Sequence, residues 1–244
     1  MKLGAKIVSV AAGVALIAGA GLAATSPATA APKVKKPTIK GTSTISLPPA
    51  LVDAMAAKGV TLNATGGGKV EVDGSTGYTN LSFPVSGPVE DGIVNHKGVL
   101  EIASAGTKVT LTLTDPKLTY ATDGSGTGQL GGVLNGLPTW MEPFSSALNG
   151  TFREPFDVSD LKITIKPGKA VKDGKKGFKR TDRVTATGML SYVDDQDSAN
   201  IFNTALLGPE GAATAPLFIP GMELGAISSS FSVTVFCKTA KACK

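Results

Sequence analysis

The chain has 244 residues, with 24 Lys and Arg against 19 Asp and Glu, a formal charge of +5, and 30 Gly and 15 Pro beside few aromatics. So mild a basic excess, with no aromatic ladder beside the cations, excludes a nucleic-acid footprint, and no nucleic acid is expected as a partner. One histidine and two cysteines leave too little for a zinc cluster, so no metal site is expected.

The N-terminus comes first in chain order. Lys2 and Lys6 precede an apolar, Gly- and Ala-rich run from Ile7 to Ala24, and Ala28-Thr29-Ala30 offers small residues at a cleavage site. This is the layout of a secretory signal over residues 1–30. The run is short for a span and ends in Thr-Ser-Pro rather than in cations, so no integral membrane span is expected after cleavage. The mature protein is expected to be secreted, extracellular or associated with the cell envelope.

Residues 31–40, rich in Pro and Lys, read as a flexible linker to a body over 41–236. Prolines 48 and 49 open a short helix over Ala50–Lys58, capped by Ser46 or a neighbour and ended by Gly59. Period-two alternation then predicts strands at Lys69–Val72, Asn80–Val85, Gly98–Ala103, Lys108–Thr114 and Lys117–Ala121. Gly-rich breaks separate them. Leu130–Leu134 reads as a strand, and Leu137–Leu148 as a loop with one helical turn at Trp140.

Val158–Lys166 and Arg183–Val193 are expected to pair across a basic loop. That loop reads as a solvated hairpin, with contact to an anionic envelope polymer or lipid head groups as the alternative. Asp194–Leu207 has helical spacing with an acidic first turn, and Gly208 ends it. Leu217–Gly225 and Ser228–Phe236 read as extended. With no helices alternating regularly with strands, the fold class is all-β and mainly antiparallel: a β-sandwich or flattened β-barrel with two or three short helices. In an exported chain, Cys237 and Cys243 are expected to form a disulfide that closes the C-terminal loop, residues 237–244.

Catalytic chemistry finds little support. No Gly-x-Ser-x-Gly elbow accompanies His96, and Gly126-Thr-Gly128-Gln-Leu-Gly131 leads into Pro138 rather than into a phosphate-binding helix. Asp194, Asp195 and Asp197 lack the Gly and distal Glu of a calcium loop. His96 reads either as a cavity-facing ligand or as a hydrogen-bonded histidine at a sheet edge. Trp140, beside Met141, Pro143 and Phe144, reads as a loop plugging one end of the fold or as a lid over an apolar cavity.

Four phrases in order carry a resemblance: Leu81-Ser-Phe83-Pro84-Val85, Asn95-His96-Lys97-Gly98-Val99-Leu100, Val109–Pro116, and Leu217-Phe218 ahead of Gly221-Met222-Glu223-Leu224. Together they resemble the haem-transport-associated (HtaA-type) domains of actinobacterial surface proteins. The resemblance implies a β-rich domain in which a tyrosine near the N-terminus ligates haem iron, a strand histidine supports it, and a second tyrosine lies in the terminal aromatic motif. His96 matches the histidine. Leu47–Val60 contains no tyrosine, and Phe218 stands at the terminal aromatic position. Without a phenolate ligand, ferric haem loses its anchoring donor.

The chain therefore reads as a secreted, non-catalytic, HtaA-like binding module without a tyrosine-ligated cofactor. Its ligand-binding candidates are His96, Phe218 and Trp140, and its partner is an apolar small molecule or another envelope protein. Haem binding through His96 is the alternative, and a cryptic hydrolase using His96 is the third reading.

Overall fold

Alternating side chains need a partner face on every strand, and this chain supplies one by curling its sheet closed. The computed structural model describes residues 37–90, 92–174 and 177–243, so the expected leader lies outside the described residues. The first half comprises β1 (Thr38–Leu47), α1 (Pro49–Ala57), β2 (Val60–Thr65), β3 (Lys69–Val72), β4 (Thr79–Glu90), β5 (Ile93–His96), β6 (Val99–Ser104) and β7 (Thr110–Tyr120). The second comprises β8 (Gly128–Asn135), a 3-10 turn (Thr139–Met141), α2 (Phe144–Leu148), β9 (Thr151–Lys166), β10 (Val171–Lys172), β11 (Phe178–Tyr192), α3 (Gln196–Thr214) and β12 (Glu223–Cys237).

Eight of these strands form a ring in the order β1–β4–β5–β7–β8–β9–β11–β12 and back to β1, with every pairing antiparallel. The fold is thus a closed barrel, the form of the all-β expectation that leaves no long edge in the ring. The wall flares on one side. β5 pairs with the second half of β7 and β6 with its first half. The switch sits at Asp115-Pro116, where Asp115 has φ 50° and proline offers no N–H to a ladder. β2 extends the wall from β6, and β3 pairs with β4 beside it.

The core is the inward row of each strand. Leu111, Leu113 and Leu118 on β7 are buried, as are Leu224, Ile227 and Val233 on β12. Outward positions are polar: β7 turns Thr110, Thr112 and Thr114 outward, and β12 turns Ser228 and Ser230. This arrangement is the reverse of a membrane barrel, whose outer face must be apolar. Among the described residues no helix is long and apolar enough to cross a membrane.

α1, α3 and the segment after α3 close the flared end. Ser104 Oγ donates to the Leu206 carbonyl, and Thr107 Oγ1 to that of Ala205, fixing α3 over β6 and the turn that follows. The C-terminal hook packs at the opposite end. Cys237 and Cys243 are disulfide-bonded, Cys243 is buried, and its carbonyl accepts from Arg180.

Several sequence expectations shift. Residues 38–40 belong to β1, paired with β12, so the linker cannot extend to residue 40. β1 hides because Gly41 and Ser43 occupy inward positions, and only its neighbours reveal the strand. A Cβ on Gly41 would sit 2.4 Å from the Phe231 Cα, so glycine is required there. Ser46 does not cap α1: it donates to Asn80 Oδ1, and Pro48 is the N-cap. β2 had no expectation at all. Lys108–Thr114 and Lys117–Ala121 merge across Pro116 into β7, because β8 runs alongside both halves. α3 does break at Gly208 (φ 74°), then resumes from Pro209 to Thr214. Leu217–Met222 is a turn-containing loop rather than a strand, and β12 starts only at Glu223.

Candidate functional site

His96 ends β5 on its inward face and is 3% exposed. It sits inside the ring, not at a sheet edge, because β4 and β7 flank β5. Its Nδ1 lies 3.0 Å from the Pro116 carbonyl and its Nε2 2.7 Å from Ser43 Oγ. A carbonyl only accepts, so Nδ1 carries the proton and Nε2 accepts. Ser43 must then donate to Nε2, and its oxygen accepts from Ser229 Oγ at 2.6 Å. The relay runs in one direction, from Ser229 through Ser43 to His96 and on to Pro116.

All three side chains are buried, and none lines either of the two spaces described below. Both ring nitrogens are occupied, leaving neither open to a metal. A serine hydroxyl lies within reach of the imidazole, but its partners among the described residues include no carboxylate. The relay ties β5, β7, β1 and β12 together across the barrel interior. Sequence gave no sign of Ser43 or Ser229, which look like any other hydroxyl in strands full of them.

Burial pushes the His96 imidazole below its ordinary range, and the Pro116 bond only partly opposes this. The folded state resists a proton that the unfolded chain accepts, so stability is complete above about pH 6.5 and is lost as pH falls toward the depressed folded value. Thermal melts from pH 7.5 to 5 are expected to decline below about pH 6.5, with a slope of up to about 1.4 kcal/mol per pH unit. His96→Gln should flatten that decline; an unchanged slope would assign it to other groups.

Phe218 is buried in an aromatic cluster that closes the flared end. It stacks on Tyr192 at 5.2 Å between centroids and meets Phe202 edge-on, while Phe156 packs edge-on against Tyr192. The Tyr192 hydroxyl shares a 3.1 Å hydrogen bond with Ser198, and burial raises its pKa, so it stays neutral. Phe218 also borders an interior cavity of about 40 Å³, walled by aliphatic residues such as Leu47, Met55 and Leu100. Organic ligands need roughly 300 Å³ or more, so this void is packing slack and stays dry.

Trp140 lies elsewhere. It is 52% exposed and borders a groove of about 470 Å³ between the 3-10 turn with α2 on one side and α3 on the other. Phe144, 49% exposed, and Ile201 and Pro209 share the lining, with Glu142 and Asp197 at its polar margin. Glu142 accepts from the hydroxyls of Ser145 and Ser146, which lower its pKa and keep it charged. The three sequence candidates therefore occupy three places: His96 in the core relay, Phe218 in the end cluster, Trp140 in an outer groove. Ile201 and Pro209 escaped sequence reading because only the packing of α3 beside the 3-10 turn brings them opposite Trp140.

Neither a family model nor a curated protein sequence matches this chain. Among solved structures it is similar to the C-terminal domain of HtaA from Corynebacterium glutamicum, with TM-score 0.43 and 12% sequence identity, covering 81% of this chain and 99% of that one. The likeness is a distant one of fold.

Proposed function

We propose that the protein is a secreted, non-catalytic binding module that takes a small apolar ligand with a neutral or cationic head into the Trp140 groove. The observation that carries this reading is the groove itself. It has the volume of a small-molecule site, and two large aromatics stand half in solvent along it. Glu142 and Asp197 disfavour an anionic head, and an indole face favours a cation. Export is supported by the leader-like N-terminus and by the disulfide. The non-catalytic reading rests on the buried state of the His96 relay, where a substrate carbonyl has no approach.

Trp140 is the single tryptophan, so tryptophan emission, excited at wavelengths where tyrosine does not absorb, reports on this groove. Titration with decyltrimethylammonium below its micellar concentration is expected to give a saturable emission change. Decanoate should give a weaker one, and Ile201→Lys should abolish both. A non-saturable response, or one untouched by Ile201→Lys, would sink the groove. Hemin should produce no sharp Soret band, because His96 has no free nitrogen and no adjoining space. A stoichiometric haem complex lost in His96→Ala would instead establish the haem reading.

A further inference from the structure

The outer face of four adjacent strands, β1, β12, β11 and β9, carries an unusually uniform set of side chains. One transverse row is Thr42, Ser230, Thr185 and Thr164, all exposed. The next row toward the flared end is Thr44, Ser228, Thr187 and Lys162. The row on the other side is Lys40, Ser232, Arg183 and Lys166. Strand geometry spaces these groups by about 4.8 Å across the sheet and roughly 7 Å along it.

Small hydroxyls thus tile the middle of a broad face, with three cations in the row on one side and Lys162 alone in the row on the other. No acidic residue and no bulky apolar residue occupies any of the three rows. None of Lys40, Lys162, Lys166 and Arg183 forms an ion pair with a described residue. Two neighbouring cations of this end are engaged instead, Lys179 with Asp173 and Arg180 with Asp182.

A core-facing requirement does not explain this pattern, since the opposite face of the same strands supplies the core. Outward strand positions also accept aromatics and longer polar side chains, yet the middle row here carries only Ser and Thr. Short side chains keep the face open to close approach along a strip several strands wide. Hydroxyls donate and accept, matching the hydroxyls of a sugar ring, while the bordering cations match a repeating carboxylate or phosphate.

We propose that this face binds an anionic polysaccharide lying across the strands. A lipid surface fits less well, because nothing on these rows can insert into an acyl layer. A second copy of the chain fits less well too, because like-charged rows would meet. This reading is independent of the Trp140 groove, whose lining includes none of these residues.

The test uses the mature chain and polygalacturonate, a glycan with a carboxylate on every sugar, with neutral dextran and anionic phospholipid vesicles alongside. Saturable binding to polygalacturonate is expected, without competition from dextran and without comparable binding to vesicles. The triple variant Lys40→Thr, Arg183→Thr, Lys166→Thr should weaken it roughly tenfold or more, since each lost charge pair removes a modest increment. Ser230→Phe, which keeps every charge but raises a bulky ring mid-face, should weaken it several-fold as well. Lys169→Thr with Lys172→Thr, in the adjoining hairpin, should change it by less than about twofold. No binding by the natural chain would overturn the proposal. So would equal losses from the hairpin pair with none from Ser230→Phe, which would mean attraction by net charge alone. Tighter binding to vesicles would assign the surface to lipid instead.

Discussion

Asn203→Leu, which keeps the number and branching of side-chain heavy atoms, is expected to remove about 3–5 kcal/mol of stability. Asn203 is 2% exposed on α3, and its amide is fully engaged. Oδ1 accepts from the backbone N–H of Leu217 at 2.8 Å and of Phe218 at 2.9 Å, and Nδ2 donates to the Phe218 carbonyl at 2.6 Å. Leucine would strand three buried backbone groups at once, each costing about 1–3 kcal/mol without a partner, offset in part by added apolar burial. The loop so fixed carries Phe218 into the Tyr192 stack. Urea unfolding monitored by circular dichroism measures the loss. A change below about 1 kcal/mol would show that solvent reaches the Leu217–Phe218 backbone and that the aromatic cluster holds the end of the barrel alone.

Periodicity recovered the parts of this fold whose own residues announce them. Leu111 and Leu113 alternate with Thr110 and Thr112, and Asp195 caps a helix through the N–H groups of Asp197 and Ser198. What escaped depends on distant partners. β1 carries Gly41 and Ser43 where alternation would demand apolar residues. Its strand character comes from β12, whose pairing residues lie about 190 positions along the chain. Ring closure is invisible for the same reason, since the β1–β12 pairing has no local signature.

The candidate site was legible only by residue type. His96 stood out as the single histidine and Trp140 as the single tryptophan, yet neither count reveals direction. His96 points into a sealed core because β5 alternates inward at its last residue. Trp140 stays exposed because Pro138 and Pro143 keep its segment off the strands. The partners that define each place, Ser43 and Ser229 for one and Ile201 and Pro209 for the other, are ordinary residues that topology alone assembles.

Arg180→Met is expected to cost about 3–5 kcal/mol, and Arg180→Met combined with Asp182→Leu is expected to recover most of it. Asp182 is an inward residue of β11, 1% exposed, among positions that continue as Val184 and Ala186. Arg180 reaches it with Nη2 at 2.7 Å and Nε at 3.2 Å, and Gly168 N–H supplies a third bond at 3.0 Å. Removing the guanidinium leaves a buried carboxylate with a single backbone donor, whereas removing both charges leaves apolar side chains and only the Gly168 N–H without its partner. The arginine also donates to the Cys243 carbonyl, so the single variant should loosen the C-terminal hook while its disulfide stays intact. Chemical unfolding of the two variants and of Asp182→Leu alone completes the cycle, and proteolysis after Lys238 or Lys241 reports the hook. If the double variant is as unstable as Arg180→Met, the arginine acts by pinning the terminus rather than by neutralising Asp182.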